Sequence, residues 1–338
     1  MNTGEAPTRD VVVIGASYGG VEALRKLAAE LPADLPATVL VVQHTSEESP
    51  AVLADLLGAR GGLRAVKARD GMPLERGMIV VAPPGRHMLL TEEGIRVVFG
   101  PRENRTRPAI DPLFRTAAVH YNTRAIGVVL TGLLGDGAVG LFAIARCGGV
   151  AVVQDPAEAV AADMPRRALE LVPNARKLPL GELAAVISEL TRQPAPPPPP
   201  IPEALRIEVS ITERIMNTQE PAELLGKPSD FTCPECRGTI RVVDDDGMQR
   251  FRCRVGHAYS ADAFVAAKEQ SLEESLWVAL QTLQERGQML TQLAREERAR
   301  ERHDTADSFD TRAREVHRHA QRLLELLQEL AEPTARSP

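Results

Sequence analysis

Runs of apolar residues separated by polar segments recur along the first half of the chain. The apolar runs are Val11–Ile14, Thr38–Gln43, Met78–Ala82, Ala125–Leu130 and Val150–Gln154. Strands of a parallel sheet are buried on both faces, so runs without polar alternation predict its inner strands. Segments with helical spacing lie between them, and the whole pattern predicts an α/β fold with a doubly wound, mostly parallel sheet.

The segments between these strands predict six helices and a hairpin. The predicted helices are Val21–Leu27, Ser49–Leu57, Asp111–His120, Val139–Arg146, Pro165–Leu171 and Glu182–Thr191. Met88–Leu90 and Ile95–Phe99 flank a Glu-Glu-Gly turn, a pattern that predicts a hairpin at the edge of the sheet.

A proline run divides the chain. Its sequence, QPAPPPPPIP at 193–202, forms neither a helix nor an inner strand and predicts a stiff linker. We therefore assign 9–192 to the α/β domain, 193–229 to the linker and a connecting segment, 230–261 to a small cysteine-rich module and 262–332 to a helical tail. We expect the linker to keep the cysteine-rich module apart from the α/β domain and from its site.

Two long helices are predicted in the tail, over 262–302 and 308–330. Apolar residues recur there at intervals close to seven, as Leu276, Leu283 and Leu290 do in the first stretch. This spacing predicts that the helices pair as an antiparallel hairpin or mediate self-association.

Composition narrows the classes of function. The net charge of −6 and the pI of about 5.8 argue against a nucleic-acid partner. No apolar run reaches the roughly 18 residues of a membrane span, so we expect no membrane insertion. The first residues, MNTGEAPTRD, lack the apolar core of a signal peptide, and three of the four cysteines cluster at metal-ligand spacing. We expect a cytoplasmic location.

Ser17 lies between the first predicted strand and the first predicted helix, in the string Gly-Ala-Ser-Tyr-Gly. A phosphate-binding glycine loop would need glycine at this position, whereas the G-x-S-x-G pattern of a nucleophile elbow fits. The carboxyl end of a strand in an open α/β sheet is where such sites are built.

His44 and Asp136 follow the ends of two other predicted strands. Because the carboxyl ends of parallel strands share one edge of a sheet, these side chains can converge on Ser17. A hydroxyl, an imidazole base and an orienting carboxylate together make a serine hydrolase triad. Taken singly, His44 also fits a structural histidine, and Asp136 fits a helix cap.

The α/β half resembles the catalytic domain of the chemotaxis protein-glutamate methylesterases of the CheB type. The matching strings are IGASYGG, VVQH, VAPPGRHMLL, NRTRPAIDPLFRTAA, TGLLGDGA and VVQDPAEAVAADMPRRAL. The resemblance implies hydrolysis of methyl esters on receptor glutamates, deamidation of certain glutamines, and no catalytic cofactor. It places the catalytic serine, histidine and aspartate of the family on Ser17, His44 and Asp136.

The backbone N–H groups at Tyr18 and Gly19 are candidate oxyanion donors because they stand at a predicted helix start, and the resemblance implies a further donor at Leu133. Two of these positions depart from the family pattern, since the family usually has threonine at Tyr18 and methionine at Leu133. Leu134 stands where the family has glycine.

Three arginines near the predicted helix start at Asp111, namely Arg105, Arg107 and Arg115, are candidates to bind the glutamate-rich substrate surface of a receptor. Most members of the family carry a receiver domain before the esterase. Ten residues precede the first predicted strand, so we expect no control by phosphorylation of a receiver within this chain.

The cysteine-rich module predicts a metal site. Cys233 and Cys236 form a C-x₂-C pair, and Cys253 with His257 forms a C-x₃-H pair after sixteen intervening residues. Two such pairs on a hairpin predict a zinc ribbon whose four protein ligands make the metal structural. The alternative is a redox C-x-x-C motif. Similar tails follow some methylesterases that lack a receiver.

These features predict a protein-glutamate methylesterase that acts on a methylated chemoreceptor or a related signalling protein. The same features also fit two alternatives, a hydrolase of other small carboxyl esters and a non-catalytic signalling scaffold that keeps the esterase fold.

Overall fold

The computed structural model describes residues 7–59, 61–214, 226–245 and 248–331. The chain divides into two compact units, Met1–Phe264 and Val265–Pro338. Residues 215–225 of the predicted connecting segment and residues 246–247 of the predicted ribbon turn lie outside the described residues.

A seven-stranded parallel sheet forms the centre of the first unit. Its strands are β1 (Val11–Ala16), β2 (Thr38–Gln43), β3 (Arg64–Lys67), β4 (Met78–Val81), β7 (Ala125–Val129), β8 (Val150–Gln154) and β9 (Arg176–Leu178). They are arranged in the order β3-β4-β2-β1-β7-β8-β9, and every neighbouring pair is parallel. The predicted mostly parallel sheet is confirmed.

Helices cover both faces of this sheet. They are α1 (Gly20–Glu30), α2 (Leu53–Gly58), α3 (Ile110–Tyr121), α4 (Ala138–Arg146), α5 (Asp163–Leu171) and α6 (Leu180–Arg192). Apolar residues of α1, α2 and α6 share one core layer with Val12 and Ile14 of β1. Those of α3, α4 and α5 share the other layer with Val11 and Val13. The alternation along β1 therefore divides its side chains between the two layers.

The predicted hairpin exists but does not join the edge of the main sheet. Strands β5 (His87–Thr91) and β6 (Gly94–Val98) form a separate two-stranded sheet. The Leu90 amide donates to the Thr116 hydroxyl of α3 at 3.0 Å, and Leu89 and Leu90 are fully buried. Packing against α3 buries more apolar surface than an exposed sheet edge would, and this explains the difference.

The proline-rich segment packs against the α/β domain, contrary to the predicted spacer. The Ala195 amide donates to the Pro7 carbonyl at 2.7 Å. A helix that the sequence analysis missed, α7 (Glu203–Arg214), follows the prolines. Its residues Leu205 and Val209 belong to the same core layer as α3.

Four antiparallel strands make up a second small sheet within the first unit. They are β10 (Lys227–Thr232), β11 (Thr239–Asp245), β12 (Met248–Cys253) and β13 (Ala258–Ser260), arranged in chain order. Phe251 stacks on Phe264, with 4.6 Å between ring centroids, and Tyr259 lies beside the same ring. This aromatic cluster supplies the small core of the sheet.

Two long helices follow, α8 (Ala261–Ala299) and α9 (His303–Ala331). Within the second unit, Leu280 packs with Ala320 and Leu327, and a separate cluster of α8 and α9 residues surrounds Leu290. In the part of the chain that the structure describes, no helix is both long and apolar enough to cross a membrane.

Candidate active site and metal centre

Ser17 stands in a tight turn between β1 and α1. Its amide donates to the Thr131 carbonyl at 3.0 Å, which ties this turn to the end of β7. Gly19 adopts φ +78°, and a Cβ there would come within 2.7 Å of Val160. A Cβ at Gly132 would lie 2.8 Å from the Ser17 Cβ. Glycine is therefore required at 19, where the chain passes Val160 with a positive φ, and at 132, where it passes Ser17.

His44 links Ser17 to Asp136. The His44 Nδ1 atom lies 3.1 Å from Ser17 Oγ, and its Nε2 atom lies 2.7 Å from Asp136 Oδ2. An ionised carboxylate only accepts hydrogen bonds, so the proton of neutral His44 belongs on Nε2. The Nδ1 lone pair then faces the serine hydroxyl, and the three residues have the geometry of nucleophile, base and orienting group.

Asp136 is buried and receives donors on both oxygens. Its Oδ2 accepts from His44 and from the Ile110 amide at 2.7 Å, and its Oδ1 accepts from Asn104 Nδ2 at 2.8 Å. Burial alone would raise the pKa of this carboxyl. The hydrogen bonds from His44, Ile110 and Asn104, with the attraction of His44, outweigh burial and lower that pKa to about 2.

Three polar residues of the site were not singled out from the sequence. Asp111 caps the start of α4 by accepting from the Gly140 amide at 2.7 Å, and burial followed by the charge of Asp136 raises its pKa to about 8. Gln43 donates to the Ser17 carbonyl at 2.8 Å. The sequence could have indicated Gln43, because it directly precedes His44 at the end of a buried strand. The third residue is Asn104, and nothing in the sequence of its loop indicates a role at the site.

Exposed apolar side chains surround Ser17. Tyr18, Leu133, Leu134 and Val160 are each more than two-fifths exposed, whereas Asp136 is 2% exposed. Leu134 adopts φ +62°, the left-handed conformation that glycine would occupy without strain. The cleft therefore has an apolar rim and a polar floor.

A pocket of about 150 Å³ opens beside His44. Most of its lining is apolar and includes Val21, Pro50, Val52 and Leu56. It offers space for an apolar group next to the His44 imidazole.

The three predicted substrate-binding arginines have different surroundings. Arg105 is exposed. The Arg107 side chain is held by Glu47 at 2.8 Å and lies over the Phe99 ring at 3.8 Å. Arg115 is 2% exposed and pairs with Glu103 at 2.7 Å. The prediction that Arg115 contacts substrate is wrong, because its guanidinium is enclosed by protein.

Arg115 belongs to a buried ion cluster that joins three parts of the first unit. Glu208 of α7 accepts from Arg250 and Arg252 of β12 at 2.6 and 3.2 Å, and lies 3.4 Å from Arg115 of α3. Glu103 pairs with Arg115 and lies 3.6 Å from Arg252. Burial alone would raise the pKa of Glu208, but the three arginines lower it to about 2.

The predicted metal ligands lie together. The potential ligand atoms of Cys233, Cys236, Cys253 and His257 are all within 4.8 Å of one another. Cys236 Sγ lies 3.6 Å from Cys253 Sγ, and His257 Nδ1 lies 3.5 Å from Cys253 Sγ. Tetrahedral zinc bonds of about 2.3 Å to sulfur and about 2.0 Å to nitrogen would separate such ligands by about 3.5 to 3.8 Å. The cluster therefore fits zinc.

Glu235 supports the histidine of this cluster. Its carboxylate lies 3.3 Å from His257 Nε2 and accepts from the Tyr259 hydroxyl at 3.0 Å. A carboxylate on the second nitrogen of a histidine orients the ring toward a metal and fixes the tautomer. This contact is a further feature of a metal site.

The cysteine-rich sheet contacts the loop that supports Asp136, contrary to the expectation that the linker keeps them apart. The Asn104 amide donates to the Ala258 carbonyl at 2.8 Å, and Asn104 Oδ1 accepts from the Ser260 amide at 2.9 Å. The proline run could not indicate this contact. Its composition predicts a spacer, whereas the packing of the sheet on the domain depends on residues far apart in the sequence.

Comparisons with known proteins identify a family for the α/β half of the chain. Residues 12–187 match the family model described as CheB methylesterase. A protein-glutamate methylesterase/protein-glutamine glutaminase of Anaeromyxobacter dehalogenans is 42% identical over 191 residues, which cover 55% of this chain and 56% of that protein. One from Rhizobium johnstonii is 40% identical over 181 residues, covering 52% and 49%. The chain spans about half the length of the curated relatives it matches.

A solved structure gives the same result for the fold. The crystal structure of the Thermotoga maritima CheB methylesterase catalytic domain aligns with a TM-score of 0.52 and 30% identity. The alignment covers 54% of this chain and 98% of that domain.

Proposed function

The chain belongs to the CheB methylesterase family, and from this premise we propose that it is a protein-glutamate methylesterase whose nucleophile is Ser17. The observation that carries the proposal is the continuous contact from Ser17 through His44 to buried Asp136. The substrate would be a methylated chemoreceptor or a related signalling protein, and glutamine side chains of the same segments could be deamidated by the same route.

The proposed reaction follows from the roles of the three side chains. Ser17 Oγ attacks the ester carbonyl carbon while His44 Nδ1 takes the hydroxyl proton. That proton then passes to the departing methoxy oxygen, so methanol leaves and the glutamyl group stays on Ser17. His44 next activates water, which releases the glutamate carboxylate and restores the serine. Asp136 keeps the imidazole oriented throughout.

The proposed oxyanion donors are backbone amides. Those of Tyr18 and Gly19 lie near the start of α1, and the third is that of Leu133. Support comes from their position beside Ser17 and at the positive end of a helix dipole. Removing a single such donor typically costs roughly 10²- to 10³-fold in turnover.

Release of methanol from a methylated receptor fragment tests the proposal. Ser17→Ala should lower turnover by about 10³-fold or more, because the triad acts as a unit. Ser46→Ala is the matched control, since Ser46 is an exposed serine shortly after His44. Turnover by Ser17→Ala close to that of the control would overturn the assignment of the nucleophile.

The apolar pocket beside His44 favours one other candidate function, hydrolysis of small carboxyl esters. The exposed apolar rim favours a protein substrate, because a small ester does not need so wide a surface. Comparing kcat/KM for a methylated receptor fragment with that for a simple methyl ester separates the two. A protein that hydrolyses neither of these substrates and does not react with a fluorophosphonate would be a non-catalytic scaffold.

We also propose that Cys233, Cys236, Cys253 and His257 hold one structural zinc. The donor set, the spacing of the ligand atoms and the Glu235 contact support it. Four protein ligands would leave no position for a catalytic water. Cys236→Ser should lose about one zinc per chain by metal analysis, whereas Cys147→Ala, which removes a buried cysteine outside the cluster, should keep it. A wild-type protein that takes up no zinc would contradict the proposal.

We propose four segments: a catalytic domain over 9–192, a connecting segment over 193–229, a zinc ribbon over 230–261 and a helical hairpin over 262–332.

The proposed helical hairpin would also mediate self-association. Val278 and Met289 are mostly exposed and stand eleven residues apart, about three turns of α8, so they share one face. Val278→Glu with Met289→Glu should therefore shift the molar mass measured by light scattering toward the monomer, and an unchanged mass would exclude this face.

A further inference from the structure

Asn104 stands between the candidate triad and the cysteine-rich sheet. Its Nδ2 group donates to Asp136 Oδ1 at 2.8 Å and to Asp111 Oδ2 at 2.9 Å. Its Oδ1 atom accepts from the Ser260 amide at 2.9 Å, and its own amide donates to the Ala258 carbonyl at 2.8 Å. Both ends of the Asn104 side chain are therefore occupied, one by the triad and one by β13.

The two carboxylates beneath Asn104 need its amide group. Asp136 and Asp111 are both buried and close enough for their charges to interact. One N–H of Asn104 reaches each of them, and together with the amides of Ile110 and Asp111 it fixes the rotation of Asp136. The other oxygen of Asp136 accepts from His44, so the position of Asn104 contributes to how the imidazole meets Ser17.

Strand β13 is in turn fixed by the metal cluster. It begins directly after the ligand His257, whose carbonyl accepts from the Cys253 amide at 3.0 Å. Tyr259, in the middle of the strand, lies 3.4 Å from Cys233 Sγ and donates to Glu235. The carbonyl and amide that hold Asn104 belong to the residues on either side of Tyr259.

The loop around Asn104 also depends on outside contacts for its shape. Asn104 and Arg105 have φ values of +49° and +68°, a conformation that costs energy in residues other than glycine. The neighbouring Glu103 is held by Arg115 and Arg252 in the buried ion cluster. A loop of this kind keeps its conformation only while surrounding groups hold it.

We propose that Asn104 is a positioning residue through which the metal cluster controls the triad: zinc bound at Cys233, Cys236, Cys253 and His257 holds β13, β13 holds Asn104, and Asn104 holds Asp136. The inference rests on the proposed zinc site and esterase activity. Loss of the metal releases β13, frees Asn104 from Ser260 and lets Asp136 turn away from His44.

Asn104→Gly tests the first link, because glycine accepts the positive φ and the substitution removes only the side chain. We expect kcat for a methylated receptor fragment to fall about 10- to 100-fold with KM within about twofold, as for a misplaced catalytic group. Asn122→Gly is the matched control, since Asn122 also has a positive φ, +39°, and lies at the end of α3. A wild-type kcat in Asn104→Gly would overturn the proposal.

Removal of zinc from the full chain with a chelator, followed by addition of zinc chloride, tests the second link. Turnover by the wild type should fall to about that of Asn104→Gly and recover with zinc. Turnover by Asn104→Gly should change by less than about twofold on zinc removal, because the effects of coupled sites are not additive. Equal slowing of both proteins would mean that the metal acts by another route and would overturn the coupling, as would a wild type unaffected by the chelator.

Two readouts do not need the methylesterase activity. The rate at which a fluorophosphonate labels Ser17, and the downfield proton resonance of the His44 Nε2–H donated to Asp136, should both change when wild-type zinc is removed. If the receptor fragment is not hydrolysed, the proposed function fails and these two measurements still decide the coupling. An unchanged labelling rate and resonance would exclude it.

Discussion

At the scale of single residues, the surroundings of Asp136 predict the effect of removing its charge. His44, Asn104 and the amides of Ile110 and Asp111 all donate to its two oxygens. An Asp136→Asn amide would have one accepting atom for these donors, so either the His44 tautomer or the Asn104 contact must be lost. We expect turnover to fall by roughly 10³- to 10⁴-fold, as expected when the orienting acid of a triad becomes an amide.

Turnover and fluorophosphonate labelling of Asp136→Asn, measured beside Asp163→Asn, check this expectation. Asp163 is exposed in the first turn of α5 and lies outside the site. The control should keep wild-type values. Activity of Asp136→Asn within tenfold of the control would contradict the proposed role of the carboxylate.

The residues of the site differ in how well their positions could be inferred from the sequence. The meeting of Ser17, His44 and Asp136 was predictable because the ends of parallel strands share one edge, which is a rule of topology. Asn104 was missed and Arg115 was misjudged for a common reason. Their partners, Ser260 and Glu208, come from segments far along the chain, and no local pattern indicates that they meet.

At the scale of elements, burial decided which strands could be predicted. The five inner strands are apolar runs, and the structure has them within a residue or two of the predicted ends. The edge strands β3 and β9 were missed, since both are short and begin with an exposed arginine. Helix α7 was missed because it follows prolines and its buried face includes a charged residue, Glu208.

Glu208 gives α7 a predictable dependence on pH. The three arginines around it lower its folded pKa to about 2, below the unfolded value of about 4.5. Its contribution to the free energy of unfolding, roughly 3 kcal/mol at most, is therefore present above about pH 5 and is lost as the pH falls toward 2. Glu208→Gln should be less stable than the wild type at pH 7, and the difference should shrink as the pH falls to 3.

Urea unfolding curves between pH 7 and pH 3 provide the measurement. Glu189→Gln is the control, because Glu189 is an exposed glutamate on α6. Its free energy of unfolding should follow that of the wild type at every pH. A deficit for Glu208→Gln that stays constant across this range would show that the charge of Glu208 is not its source.

At the scale of the whole molecule, the boundary between the two compact units does not lie at the proline run, where the composition suggests it. The cysteine-rich sheet lies after the proline run and yet shares a buried ion cluster with α3 and α7. The first compact unit extends to Phe264, and the second begins at Val265. Changes in the sheet are therefore expected to reach the triad, whereas changes in the core of the second unit are not.

Leu290→Ala tests whether a change in the core of the second unit leaves the triad unaffected. Leu290 is buried against Ala313 and Val316 of α9, so the substitution should destabilise the helical pair by about 2 to 5 kcal/mol. Thermal unfolding followed by circular dichroism at 222 nm should show that loss, while Gln288→Ala, at an exposed neighbour, should not. Labelling of Ser17 should stay within about twofold of wild type, because distant sites without shared partners behave additively. A large fall in labelling by Leu290→Ala at temperatures where the first unit is folded would mean that the two units are coupled.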